Sequence, residues 1–136
     1  MSFLLDTCVV SEATKEQRDP GVESWLERVA PESFFLSAVT FGELSYGIKR
    51  LPKGSKRERL EEWLEAYVAE TPPERILAVD RDVALLWANL RIQDANCKLG
   101  DGQIAATALF HGLTLVTRNL RDFRFPGLAV FNPWSK

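Results

Sequence analysis

Apolar residues in this chain gather in short runs separated by longer amphipathic stretches. Phe3-Leu4-Leu5, Phe34 to Ser37, Ile76 to Val79, Leu113 to Val116 and Leu128 to Phe131 have the length of buried strands. Between them apolar positions recur on one face of a helix: Val22, Trp25, Leu26 and Val29; Leu60, Trp63, Leu64 and Tyr67; Val83, Leu86, Trp87 and Leu90. Local chemistry marks the ends. A helical turn follows Asp6. Asp19-Pro20 is a strong start, with Asp as N-cap and Pro at the first position. Thr40 and Glu43 have capping-box spacing for a helix running to about Arg50, and Leu51-Pro52-Lys53-Gly54 breaks it. Ser55 and Glu58 repeat that spacing for a longer helix that Thr71-Pro72-Pro73 ends. Asp80 starts the next. Asp101 caps the helix through Phe110, which stops at Gly112. Strands alternating with helices predict an α/β fold, with a mainly parallel central sheet of about five strands covered on both faces.

The placement of acidic residues adds chemistry to this pattern. Asp6 closes the first strand, Glu43 lies one turn into a helix that follows the second, and Asp101 opens a helix. Asn119 and Asp122 follow the strand ending at Val116. In an open parallel sheet such positions converge on a crevice outside the carboxyl ends of the strands. Each acid singly is explained as a helix cap, and Asp80 reads as a cap and nothing more. A cap needs one acceptor, whereas three or four convergent acceptors suit a cation. Carboxylate and amide oxygens favour Mg2+ or Mn2+. Zinc would prefer His and Cys, and the chain has one His and two Cys without finger-like spacing. His111 reads as a residue at a helix C-terminus. Nothing in the sequence orients it toward Cys8 as a nucleophile pair. A phosphate-binding glycine loop and a serine-nucleophile elbow are both missing.

Bulk properties narrow the class. The 136 residues suit one domain spanning 1–136 with a real core. No apolar run approaches the ~20 residues needed to cross a bilayer, so no membrane association is expected. The N-terminus lacks a basic region and a cleavage site, and two cysteines do not make a disulfide framework. A reducing cytoplasm is the expected compartment. The net charge of −2 carries no global nucleic-acid signature, so a polyanion must be held by local basic groups. Lys49, Arg50, Lys53, Lys56, Arg57 and Arg59 form one such run, which reads equally as a solvated turn. Arg118, Arg121 and Arg124 border the last acidic block. Trp25, Trp63 and Trp87 lie on apolar stripes and read as core or interface anchors.

Four blocks taken together closely resemble the PIN domain, in its VapC toxin branch. They are Leu4 to Glu12, Ser37 to Gly47, Asp101 to Ala108, and Val116 to Phe123, with Val130-Phe131-Asn132-Pro133-Trp134 closing the chain. The resemblance implies a three-layer α/β/α sandwich. It further implies a Mg2+-dependent endoribonuclease toxin, with Mn2+ able to substitute, held inactive by a VapB-type antitoxin and expected as a homodimer. It carries the metal role onto Asp6 and Asp101 and an essential acidic role onto Glu43. Asp122 joins the catalytic set, while Asn119, Thr7 and Thr117 take supporting roles. Two positions depart from the usual pattern: Cys8 stands where Asn is common, and Leu99 where an acid is often found. The alternative is a catalytically silent PIN-like module that binds RNA or protein without cutting.

Overall fold

Strand β1 (Phe3–Leu5) is the middle of the sheet, and its two best-buried residues face opposite ways. A computed structural model describes residues 1–135. The other strands are β2 (Phe34–Ser37), β3 (Ile76–Leu77), β4 (Thr114–Val116) and β5 (Val130–Phe131). They lie in the order β3-β2-β1-β4-β5, and every neighbouring pair is parallel. The chain leaves β1 for β2 on one side and reaches β4 on the other. The gap beyond the ends of β1 and β4 is therefore where strand order reverses and a crevice opens.

Six helices cover the sheet: α1 (Thr7–Glu12), α2 (Pro20–Arg28), α3 (Ala38–Lys49), α4 (Ser55–Glu70), α5 (Arg81–Gln93) and α6 (Leu99–His111). Because strand side chains alternate, the sheet feeds two cores. Leu4 and Leu115 pack with Val83, Leu90, Ile104 and Ala105 from α5 and α6. Leu5 and Val116 pack with Val9, Val22, Trp25 and Leu44 from α1 to α3. The small residues Ala105, Ala106 and Ala108 of α6 are fully buried, which lets that helix sit close against the sheet. Three layers with a five-stranded parallel sheet are what the residue pattern and the resemblance led one to expect.

Several boundaries differ from the sequence reading, each for a local reason. Helix α3 starts at Ala38 because the Ser37 hydroxyl accepts the Val39 N–H, so Thr40 is a buried residue inside the helix and not its cap. Helix α4 starts at Ser55 with Gly54 in the cap position, so Ser55 and Glu58 do not form the expected capping box. Helix α6 begins at Leu99, with Lys98 at its cap and no side-chain cap bond. Asp101 is thus in the first turn, and its carboxylate is left free of capping. Strand β3 ends at Leu77, short of the expected Val79, because its partner β2 turns into α3 at Ser37. The last strand pairs only from Val130, short of the expected Leu128.

Asp80, Asp19 and Gly112 behave as read. The two acids accept helix N–H groups from Val83 and Val22. Gly112 ends α6 with φ +65°, a conformation that favours glycine.

Gly102 marks a close approach between α5 and α6. A Cβ there would stand 2.7 Å from Trp87 Cδ1, 2.8 Å from its Nε1 and 3.1 Å from Cys97 Sγ. Gly102→Val is expected to lower stability by roughly 1–3 kcal/mol through overpacking. Urea denaturation would read this as a fall in midpoint at unchanged slope, and an unchanged midpoint would contradict the packing.

Candidate active site

Asp6 leaves the end of β1 and Thr117 leaves the end of β4, at the same level because Leu5 pairs with Val116. The Asp6 N–H donates to Val116 O at 2.9 Å, so the sheet ladder itself locates the residue. Its buried carboxylate is satisfied on both oxygens. Oδ1 accepts the Thr7 N–H at 2.8 Å, which also caps α1. Oδ2 accepts the hydroxyl of fully buried Thr117 at 2.7 Å. The Cys8 thiol adds a weaker contact to Oδ2 at 3.6 Å. Thr117 Oγ1 in turn accepts the Asn119 N–H at 3.0 Å. These donors fix the orientation of the carboxylate.

A second chain of contacts reaches Glu43 from the same loop. The Thr7 hydroxyl donates to Glu43 Oε1 at 2.6 Å and lies 3.2 Å from Thr40 Oγ1. Thr7 thus ties Asp6 through its backbone and Glu43 through its side chain. Glu43 projects from the second turn of α3 toward the start of α6. There Gly100 leaves it room: a Cβ on Gly100 would come within 2.6 Å of Glu43 Oε2.

Asp101 completes the group. It is partly buried, and its pKa is pushed up from the usual carboxylate range to about 6. Burial is the largest cause, followed by the charges of Asp6, Asp122 and Glu43, with Lys98 opposing. The four predicted carboxylates therefore share one electrostatic field. Asp122 sits exposed in a 3-10 turn, Leu120–Phe123, anchored by buried Phe123. Asn119 enters through its backbone. Its side chain makes no hydrogen bond among the described residues.

Sequence reasoning missed two contributors. Thr40 was read as a cap and is instead buried beside Thr7. Gly100 is the other, and its signal is that two glycines flanking an acid in a helical turn sacrifice helix propensity, which marks a close approach. The Cys8–His111 pair does not form a nucleophilic centre. Burial, then the Asp6 charge, pushes the Cys8 thiol up to about 11, so it stays protonated. His111 meets the Phe110 ring edge to face at the opposite end of α6 from Asp101.

Among the described residues, no three His, Cys, Asp or Glu side chains converge as a closed metal cage. The arrangement is one of separate carboxylates with overlapping charge around an open position. That donor set fits a hard divalent cation that keeps several waters and takes one or two carboxylates. It does not fit zinc.

Comparison with known proteins follows the same outline. The PIN domain family profile matches residues 3–127. The chain is 39% identical to Toxin FitB of Neisseria gonorrhoeae, covering 97% of this chain and 98% of the relative. It is 36% identical to VapC ribonuclease Y4jK of Sinorhizobium fredii, over 98% of both. Among solved structures, FitAcB from Neisseria gonorrhoeae superposes with a TM-score of 0.87 at 38% identity, over 98% of this chain and 99% of that one.

The crowding of charge has a measurable consequence. The folded chain holds the Asp101 proton more tightly than the unfolded chain, which releases it near pH ~4. The metal-free native state is therefore expected to lose stability as pH rises from about 4 to 6. In EDTA at pH 7.5, Asp101→Asn should melt above wild type and flatten that decline. Mg2+ should raise the melting temperature of wild type and not of the variant. A variant that melts lower in EDTA, or that gains equally from Mg2+, would contradict this site.

Proposed function

This chain belongs to the PIN domain family, and from that premise we propose that it is a metal-dependent endoribonuclease, the toxin of a type II toxin–antitoxin pair. We propose further that residues 1–136 work as one PIN domain in the cytoplasm with Mg2+, for which Mn2+ can substitute. The observation that carries this reading is the Asp6 carboxylate, locked by Thr7 and Thr117 and facing the field of Asp101, Glu43 and Asp122. Curated relatives named as a toxin and as a VapC ribonuclease support it.

In this reading Asp6 and Asp101 hold the cation. When bound, Mg2+ supplies Lewis-acid activation of water and neutralises charge on the phosphodiester. Glu43, oriented by Thr7, positions the attacking water and accepts its proton. Thr117 keeps the Asp6 oxygens aimed at the cation, the task of a group hydrogen-bonded to a ligand. Asp122 and Asn119 border the open side and support a second cation or the leaving group. Because water attacks and the ribose 2′-oxygen does not, the products carry 5′-phosphate and 3′-hydroxyl ends.

The surface supports a partner as well. None of the sixteen residues of α4 is fully buried. Between α3 and α4 lies an open groove lined by Ile48, Leu64 and Val68. A second hollow, lined by Leu44, Leu51, Leu60 and Trp63, reaches Glu43 and Thr7. An amphipathic antitoxin helix of the VapB type would cover this apolar surface and block the acidic site. Exposed Tyr46 and Leu99 flank another depression beside Glu43, which suits the expected homodimer. Among the described residues no helix is long and apolar enough to cross a membrane.

Purified chain incubated with total RNA should cleave it in Mg2+ and not in EDTA, leaving the ends named above. Asp6→Asn should reduce cleavage by more than the roughly 10–100-fold typical of outer residues around a metal, with the fold retained. Full activity of that variant would refute the assignment. Gly100→Ala is a finer test. The added methyl displaces Glu43 while improving helix propensity by up to about 1 kcal/mol. It should melt no lower than wild type yet lose about tenfold or more in turnover. Unchanged turnover would remove Glu43 from the mechanism.

A further inference from the structure

The segment 132–135 is clasped onto the start of α2. Asp19, which caps α2 through Val22, also accepts the backbone N–H of Ser135 at 3.0 Å and the Ser135 hydroxyl. Asn132 Oδ1 accepts the Trp134 N–H at 2.9 Å and fixes the turn. Gly21 admits this clasp, since a Cβ there would lie 2.5 Å from Pro133 O and 2.6 Å from Ser135 N. Such density at an exposed corner calls for a reason, and the Trp134 ring supplies one. It packs on the core of α1 to α3 on one side, and Arg118 lies over it with Cζ 5.6 Å from the ring centroid.

Arg118 directly follows Thr117, the residue that holds Asp6. The same Thr117 hydroxyl lies 3.7 Å from the Cys8 thiol, which itself touches Asp6. The Arg118 backbone therefore adjoins the acidic site, and its side chain extends to the Trp134 ring. Arg118 is exposed, and among the described residues its guanidinium forms no ion pair and no hydrogen bond. Arg18, Arg57 and Arg81, by contrast, are each paired with a carboxylate. A guanidinium stacked on an indole keeps its edge donors open and loses little freedom when it binds.

We propose that Arg118 grips a backbone phosphate of single-stranded RNA flanking the scissile bond, and that Trp134 is the positioning residue that holds it there. This rests on the endoribonuclease reading and deepens it. An acidic pocket repels a polyanion, so a substrate strand needs a fixed cation beside the site, and Arg118, unpaired among the described residues, is a cation attached to the residue that orients Asp6. A guanidinium–phosphate contact of this kind adds affinity without reading sequence.

The test uses the full chain carrying Asp6→Asn, so that RNA survives, and fluorescence anisotropy with an end-labelled single-stranded RNA in Mg2+. Adding Arg118→Gln should raise Kd roughly tenfold. It should also reduce the slope of log K against log salt by about 0.7, the loss of one phosphate contact on a single strand. Trp134→Ala should raise Kd roughly two- to fivefold, and Trp134→Phe should restore most of the affinity. In the active background, Arg118→Gln should raise KM with kcat within about twofold, as removal of uniform binding does. An Arg118→Gln variant with parental Kd and salt slope overturns the proposal, as does one whose loss falls on kcat alone. Trp134→Phe behaving like Trp134→Ala overturns the positioning role. Arg118 is exposed, so its variant tests the idea even if Trp134→Ala unfolds. A wild-type chain that binds RNA but never cuts it would defeat the nuclease reading, while the anisotropy arm would still judge Arg118.

Discussion

Everything at this site depends on a hydrogen bond between residues 111 positions apart, from the Thr117 hydroxyl to Asp6 Oδ2. A carboxylate buried among other carboxylates would ordinarily take up a proton or turn away to solvent. Asp6 is held inward instead, because its two oxygens meet donors that the backbone has already placed. The Thr7 amide belongs to the first turn of α1, and Thr117 is set by the pairing of β4 with β1 and β5. The sheet register is thus the device that makes a fixed negative charge tolerable. Asp101 lacks such donors and bears the strain, as its elevated pKa records.

The cost of this arrangement falls on stability and is met by the cores. The layer of α5 and α6 is tightly filled, with Ile104, Ala105, Ala106 and Ala108 fully buried. The layer carrying α4 is not: that helix offers Trp63, Leu64 and Tyr67 to the core yet buries none of its residues fully. One face therefore serves as a rigid support for Asp101, and the other remains available for association. The asymmetry agrees with a protein whose activity is governed by what docks beside Glu43.

Basic groups complete the electrostatic picture. The four carboxylates create a field that a phosphodiester alone would avoid. In the proposed reading a bound cation inverts that field locally, and flanking arginines extend the attraction along a strand. Arg118 differs from the chain's paired arginines because an aromatic ring rather than a carboxylate holds it in place. Its geometry depends on the clasp of residues 132–135 against Asp19, so a cap on α2 and a cation at the end of β4 are coupled through one folded corner.

The amino-acid order alone determined the alternation of strands and helices, the helix starts at Asp19 and Asp80, the stop at Gly112, and the set of acids facing one crevice. These follow from local rules, since periodicity, capping and turn chemistry act over a few residues. The four resembling blocks narrowed the family for the same reason, each being a short contiguous signature. What the order could not decide was which donor serves which acceptor. Thr40 and Glu43 have the spacing of a cap, yet Ser37 took that role, leaving Glu43 to Thr7 and Gly100. Asp101 looked like a cap and became a strained charge because α6 begins at Leu99. The seating of Arg118 on Trp134 was equally invisible. Such choices join residues distant in the chain and are made by strand register and helix packing, so only the tertiary structure could make them.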